Sequence, residues 1–145
     1  MSFQAAIQVR FQDVDAGGVL FFGRIFDYLH FAYEEMVASS GVDRARYFAG
    51  AEYLVPIAHA EADYRSPILH GERIDVAIVV GRVGRASFQL NYRVTGPDGS
   101  LRVEATTIHA FVNRETMRPI PIPHALRAFF NGHAVQETVA DHPAK

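Results

Sequence analysis

At 145 residues the chain is long enough for one ordinary domain and too short for two. Its 14 basic and 16 acidic side chains give a net charge of -2, without the basic excess that a nucleic-acid-binding surface needs. It has no cysteine, which excludes disulfides, a thiolate metal site and a cysteine nucleophile, and which fits a reducing, cytoplasmic setting.

The start, Met1-Ser2-Phe3-Gln4, has no basic segment and no apolar run behind it, so no signal peptide is predicted. The longest apolar runs, such as Val19 to Phe22, fall far short of the roughly 20 residues of a membrane-spanning helix. From Phe3 to Phe11 apolar and polar residues alternate, which predicts a half-buried strand. Asp13-Val14-Asp15-Ala16-Gly17-Gly18 is a turn-forming cluster. From about Phe22 to Ser40 the period becomes helical, with Phe22, Phe26, Leu29, Tyr33, Met36 and Val37 in step and Gly41 as the stop. Tyr28, Phe31 and Ala32 add apolar groups around this helix, so it is expected to be covered on most sides, with Tyr33 and Met36 in the core. Val42 to Ala49 predicts a short second helix.

Strands follow. Tyr53 to Tyr64 is one, with Pro56 near an edge or bulge and His59 on an inner strand. Ser66-Pro67 and His70-Gly71 mark a loop. Arg73 to Val83 alternates, Gly84-Arg85 turns the chain, and Phe88, Leu90, Tyr92 and Val94 alternate again. Gly96-Pro97-Asp98-Gly99 is a strong hairpin turn. Leu101, Val103, Ala105, Thr107, His109 and Phe111 then share one face, and His124 to Phe130 predicts a short terminal helix. The sum is an α+β domain over 1–132, an antiparallel sheet curled around one long helix, followed by a loose tail at 133–145.

Asp13-Val14-Asp15-Ala16-Gly17-Gly18-Val19-Leu20-Phe21-Phe22, lying between a first strand and an apolar helix, resembles the loop motif of the 4-hydroxybenzoyl-CoA thioesterase family. The similarity runs from about residue 5 to residue 113. Arg82-Val83-Gly84-Arg85-Ala86-Ser87-Phe88 resembles a turn segment of that family. Phe22, His30, Ala32, Tyr33 and Glu34 in the helix, with Pro56, His59-Ala60, Asp63, Pro67, Gly71 and Arg73, are most similar to the 1,4-dihydroxy-2-naphthoyl-CoA hydrolases within it. Arg24 and Ile25 depart from the pattern, at positions that line the pocket mouth in relatives.

The resemblance implies the hot-dog fold, in which the sheet wraps the helix, and an acyl-CoA thioesterase activity. It makes Asp15 the catalytic carboxylate, as nucleophile or as general base for water. The oxyanion donor is then the backbone N–H of Phe22 at the helix start, where amides lack internal partners. Gly18 supports the site, and Asp13 orders the loop. His30 and Glu34, one helical turn apart, and His59 are candidates to meet the acyl group. Arg82, Arg85 and Ser87 are candidates for the CoA moiety, since Arg grips phosphate bidentately. His109, His124, His133 and His142 receive no role.

No cofactor is expected, because coenzyme A is part of the substrate. No metal is expected either, since neither H-x-x-x-H nor H-E-x-x-H occurs, and there is no G-x-S-x-G elbow. Neither nucleic acid nor membrane is an expected partner. A homodimer or homotetramer with sites between subunits is implied by the resemblance. An aromatic acyl group, with 1,4-dihydroxy-2-naphthoyl as the specific candidate the resemblance implies, competes with short or medium fatty acyl-CoA or acyl carrier protein. A non-catalytic acyl-CoA-binding protein is the reading from another class, and a dehydratase would need His where Asp15 stands.

Overall fold

The computed structural model describes residues 2–134. Its elements are β1 (Phe3–Gln8), α1 (Ile25–Ala38), α2 (Arg44–Ala49), β2 (Tyr53–Leu54), β3 (Ile57–Tyr64), β4 (Arg73–Val83), β5 (Ser87–Thr95), β6 (Leu101–Ala110), β7 (Val112–Asn113) and α3 (His124–Gly132). Five strands form one antiparallel sheet in the order β1-β4-β5-β6-β3, while β2 and β7 form a separate two-stranded ladder. Two tight hairpins join β4 to β5 and β5 to β6. β3, in contrast, crosses to the far edge and pairs only with β6.

The predicted alternation accounts for the sheet's inner face. Ile74, Val76, Ile78 and Val80 of β4 are buried, as are Phe88, Leu90, Tyr92 and Val94 of β5, and Val103, Ala105, Thr107 and His109 of β6. Against them α1 lays Ile25, Tyr28, Leu29, Ala32, Tyr33, Met36 and Val37. Each large apolar side chain so buried contributes about 1.5–3 kcal/mol. The helix ends where Ser39 and Ser40 turn their hydroxyls onto the Met36 and Val37 carbonyls, both at 2.6 Å. Gly41 follows at φ 84°, the left-handed conformation that stops a helix.

Two expectations are corrected. The helix does not begin at Phe22: Phe22–Arg24 is a 3-10 turn, Phe22 is 65% exposed, and α1 starts at Ile25. α1 is covered on most sides, as expected: the sheet takes one face, Tyr47 and Phe48 of α2 pack against Tyr33 on another, and of its 14 residues only Asp27 and Phe31 are exposed. The predicted strand from Tyr53 to Tyr64 is two strands, broken at Val55-Pro56 because proline cannot donate to a ladder. At the other end, α3 stacks Phe130 on Phe88 with ring centroids 4.0 Å apart. Val80 N–H then donates to the His133 carbonyl at 3.1 Å, so the chain stays on the sheet to Ala134. Residues 135–145, most of the expected loose tail, lie outside the described residues.

The inward face of β6 carries polar groups. Tyr92 and Thr107 hydroxyls are 2.8 Å apart, and Thr107 Oγ1 lies 2.8 Å from His109 Nε2. Phe88 stacks on the imidazole at 4.9 Å, and Tyr33 lies against it at 4.4 Å. Burial, aided by the nearby His30, pushes His109 down from its ordinary 6.5 to about 3. Between those pH values the unfolded chain binds a proton that the folded chain refuses, so stability is lost as pH falls through this window. The thermal midpoint of the wild type is expected to drop faster than that of His109→Gln between pH 6.5 and pH 4, read by calorimetry; parallel curves would refute this.

Candidate active site

The segment between β1 and α1 is a small hairpin. Val14 bridges Leu20, Asp15 N–H donates to the Val19 carbonyl at 2.8 Å, and Gly18 N–H donates to the Asp15 carbonyl at 3.0 Å. Gly18 sits at φ 78°, a conformation L side chains rarely adopt. Gly17 is tight for a different reason: a Cβ there would lie 3.3 Å from Asp15 Oδ1. The carboxylate is held through that same oxygen, which accepts from Gly17 N–H at 2.8 Å and Val19 N–H at 3.3 Å. Among the described residues, Asp15 Oδ2 has no hydrogen-bond partner.

The hairpin docks on the connection between β3 and β4. Leu20 N–H donates to the Ile68 carbonyl at 2.8 Å, and His70 N–H donates to the Gly18 carbonyl at 3.0 Å. Asp13 orders the loop, as expected. Its Oδ2 accepts from the Tyr28 hydroxyl at 2.6 Å, and its carbonyl accepts from Phe21 N–H at 2.9 Å. The Tyr28 oxygen in turn accepts from Arg10 N–H at 2.9 Å. Burial and the bond to Asp13 push Tyr28 up to about 12, so it remains a donor.

Asp15 opens into a cleft of about 520 Å³ that it shares with Val19, Phe21, Phe22, Tyr64 and Ser66. The first two amides of the helical turn, those of Phe22 and Gly23, meet no acceptor among the described residues, as expected at a helix start. The Tyr64 hydroxyl donates to the Phe22 carbonyl at 2.6 Å and fixes that peptide from the far edge of the sheet. Asp15, Gly18 and the Phe22 amide thus come together. A carboxylate and unpaired amides across an apolar cleft are the parts needed to attack a carbonyl and hold the resulting oxyanion. Tyr28 and Tyr64 were not singled out from sequence, because neither lies in the loop motif and each acts through a contact distant in sequence.

Other candidates lie elsewhere. His30 Nδ1 and Glu34 Oε2 pair at 3.2 Å, both half-exposed, beside a second, smaller cavity. His59 is not on an inner strand. The crossover of β3 leaves it on the open edge, exposed, with its Nε2 2.9 Å from Glu61 Oε1. Arg82, Arg85 and Ser87 do meet, lining a cleft of about 340 Å³ with Gln89. That cleft is at the opposite end of the sheet. Ser87 pairs with Ala110, whereas Val103 lines the Asp15 cleft, and the two are roughly 23 Å apart along β6 at about 3.3 Å per residue. Ile25 is wholly buried and lines neither cleft, while Arg24 ion-pairs with Asp27 at 3.2 Å. Among the described residues, no group of three His, Asp or Glu is placed to hold a metal ion, and no helix is long and apolar enough to cross a membrane.

Gly18→Ala should lower stability by about 1 kcal/mol through the left-handed backbone and reduce activity by displacing the loop. Gly18→Asn, which tolerates that backbone better, should recover part of both. Thermal midpoints and initial rates on one thioester check this, and an alanine variant indistinguishable from wild type would refute it.

A family model described as the thioesterase-like superfamily matches residues 9–130. A 1,4-dihydroxy-2-naphthoyl-CoA hydrolase from Rippkaea orientalis is 32% identical over 120 residues, spanning 81% of this chain and 87% of that protein. Another so named, from Thermosynechococcus vestitus, is 33% identical over 121 residues, 83% of each chain. A solved 1,4-dihydroxy-2-naphthoyl-CoA thioesterase from Synechocystis superposes with a TM-score of 0.85 over 99% of this chain and 100% of that one, at 22% identity, and so shares the fold. The family match spans most of the chain and the sheet wraps one helix as that architecture requires, so the chain belongs to the thioesterase-like superfamily and has its hot-dog fold.

Proposed function

We propose that this chain hydrolyses an aromatic acyl-CoA to the free acid and coenzyme A, with 1,4-dihydroxy-2-naphthoyl-CoA as the leading substrate. The observation that carries the reaction is the Asp15 carboxylate, fixed through Oδ1 and open at Oδ2, in one cleft with the Phe22 amide. Oδ2 attacks the thioester carbon, or takes a proton from the water that does. The carbonyl oxygen gains the electron pair and is stabilised by the Phe22 N–H. Collapse of the tetrahedral species breaks the C–S bond and releases the CoA thiolate. In the covalent route, water then hydrolyses the mixed anhydride with Asp15. Neither route uses a metal or a separate cofactor. The aromatic preference rests on Phe21, Phe22 and Tyr64 around the cleft and on the names of the relatives.

The same reading makes the enzyme at least a homodimer, with tetramers built from dimers, and puts it in the cytoplasm, which the cysteine-free composition supports. β3 offers an eight-residue open edge with exposed faces, a template for pairing with a second copy. The separation of the Asp15 cleft from Arg82, Arg85 and Ser87 supports a site that takes catalytic parts from one subunit and phosphate-binding parts from another. Light scattering is expected to give a dimer or tetramer, and a monomer at micromolar concentration would overturn this arrangement. Release of free CoA from a panel of aromatic and aliphatic acyl-CoAs tests the reaction. Preference for aromatic thioesters supports the substrate class; faster turnover of short or medium fatty acyl-CoA replaces it. No turnover with tight acyl-CoA binding would make the chain a binding protein.

A further inference from the structure

The amide that would hold the oxyanion sits on a weakly supported turn. Phe22–Arg24 is a three-residue 3-10 helix with no side-chain cap and no buried side chain. Phe21 and Phe22, which lead into it, are 47% and 65% exposed. Packing therefore does little to hold the turn, and a short, exposed, uncapped segment opens locally at small cost. Its local bonds are few. Phe21 N–H ties the entry to the Asp13 carbonyl at 2.9 Å, Arg24 N–H donates to the Phe21 carbonyl at 2.8 Å, and Ile25 N–H donates to the Phe22 carbonyl. Among the described residues, one hydrogen bond reaches Phe22–Arg24 from a distant segment: the Tyr64 hydroxyl donates to the Phe22 carbonyl at 2.6 Å, across 42 residues.

Resting on the proposed thioesterase reading, we propose that Tyr64 is a positioning residue for the reaction, an edge-strand side chain whose hydroxyl keeps the Phe22 N–H aimed at the oxyanion. The hydroxyl touches no reacting atom and acts through the backbone. Tyr64 pins the carbonyl that follows Phe22, and Arg24 N–H pins the carbonyl that precedes it. Both peptides that flank Phe22 are then held, and its N–H lies in the plane of the first. With Tyr64 removed, the second peptide loses its one anchor outside the segment, and the N–H can swing. Misplacing a catalytic group by 1 Å can cost about 10²-fold.

Tyr64 is well placed for this work. It ends β3 and pairs with Val103 of β6, and both line the Asp15 cleft. The next residues are tied to β6 as well. Arg65 N–H and Ser66 N–H donate to the Arg102 carbonyl at 2.8 and 3.2 Å, and Ser66 Oγ donates to the Leu101 carbonyl at 2.9 Å. The hydroxyl is thus carried by backbone anchored in the sheet. Partial burial raises the phenol above its ordinary 10, so it remains a donor.

Tyr64→Phe is the test, since it keeps the ring in the cleft wall and removes only the hydroxyl. Losing a whole oxyanion donor costs about 10²–10³-fold in kcat. Here the donor stays but is loosened, so kcat on benzoyl-CoA should fall about 10-fold, with KM and the thermal midpoint little changed. A spectroscopic reading separates aim from stability. Benzoyl-CoA labelled at the carbonyl carbon and bound to Asp15→Asn should show, by difference infrared, a C=O stretch below that of the free thioester, because the Phe22 N–H polarises the bond. The band should move back up when Tyr64→Phe is added. Unchanged kcat, a loss confined to KM, or the same band in both proteins would overturn the proposal. If wild type turns over no thioester, the thioesterase reading fails first, and amide exchange at Arg24 and Ile25, followed by NMR, still reads the clamp. Faster exchange in Tyr64→Phe would then keep Tyr64 as the support of the turn, and equal exchange would overturn it.

Discussion

Asp15→Asn is expected to reduce kcat by about 10²–10⁴-fold, the contribution of a positioned acid–base group, on whichever acyl-CoA proves best. The substitution is a clean one because of how Asp15 is held. Its Oδ1 accepts from Gly17 and Val19 N–H, and an amide oxygen can do the same. The hairpin should keep its shape and the thermal midpoint should stay near that of wild type. What changes is Oδ2, the open atom, which becomes an NH₂ that can neither attack a carbonyl nor take a proton from water. The loss should therefore fall on kcat, with KM little altered, since binding rests on the cleft walls. Stopped-time CoA release with both proteins at several substrate concentrations reads both constants. A variant within a few-fold of wild type would remove Asp15 from the chemistry and leave the hairpin a structural turn. Asp13→Ala makes the contrast: the Asp13 side chain holds the Tyr28 hydroxyl, so damage there should appear in the thermal midpoint as well as in rate.

Much of this architecture could be read from local pattern, because local pattern is what fixes it. Alternation in Arg73 to Val83, in Phe88 to Val94 and in Leu101 to Phe111 reports a sheet with one buried face, and Gly96-Pro97-Asp98-Gly99 sets the last hairpin. The placement of Asp15, Gly18 and the Phe22 amide was legible because one contiguous loop carries all three. Contacts between distant segments were not legible. Nothing in Ile57 to Tyr64 says that this strand leaves its neighbour in sequence to pair with β6, yet that choice turns His59 outward and brings Tyr64 onto Phe22. The inward place of His109 on β6 is legible but its role is not, because alternation reports which face is buried and not whether a buried polar group finds a partner. Phe22 looked like helix core because its spacing is right. The 3-10 turn at Phe22–Arg24 changes the rotation per residue and swings it out.

The largest expected stability effect lies in a pair that no motif marks. Arg102 of β6, almost wholly buried, forks onto Glu72 with Nη1–Oε1 at 2.7 Å and Nη2–Oε2 at 3.0 Å. It also donates to the Pro67 carbonyl at 2.7 Å and to Ser100 Oγ at 2.9 Å. Gly96 makes room for it, since a Cβ there would lie 2.2 Å from Nη2. Glu72 Oε1 also accepts from Leu69 N–H at 2.7 Å, and Leu69 bridges Val19 in the Asp15 hairpin. Arg102→Met strands the Glu72 carboxylate under the loop, and breaking a buried pair from one side costs about 3–5 kcal/mol. The pair sits just beneath the surface, so the lower end, about 3 kcal/mol, is expected by urea unfolding. The double variant Arg102→Met with Glu72→Met should recover part of this, because an apolar pair leaves no stranded charge. The hydrogen bonds from Arg102 hold the Glu72 carboxyl below its ordinary value, so its stabilisation is complete above about 4.5 and is lost as pH falls through the folded value. The acid limb of the wild-type stability curve should therefore be steeper than that of Arg102→Met. If the single and double variants are equally unstable, the charge pairing itself matters little, and the lost hydrogen bonds to Pro67 and Ser100 carry the cost. If the double variant also turns over substrate more slowly than its stability predicts, the clamp sets the position of the wall on which the Asp15 hairpin rests.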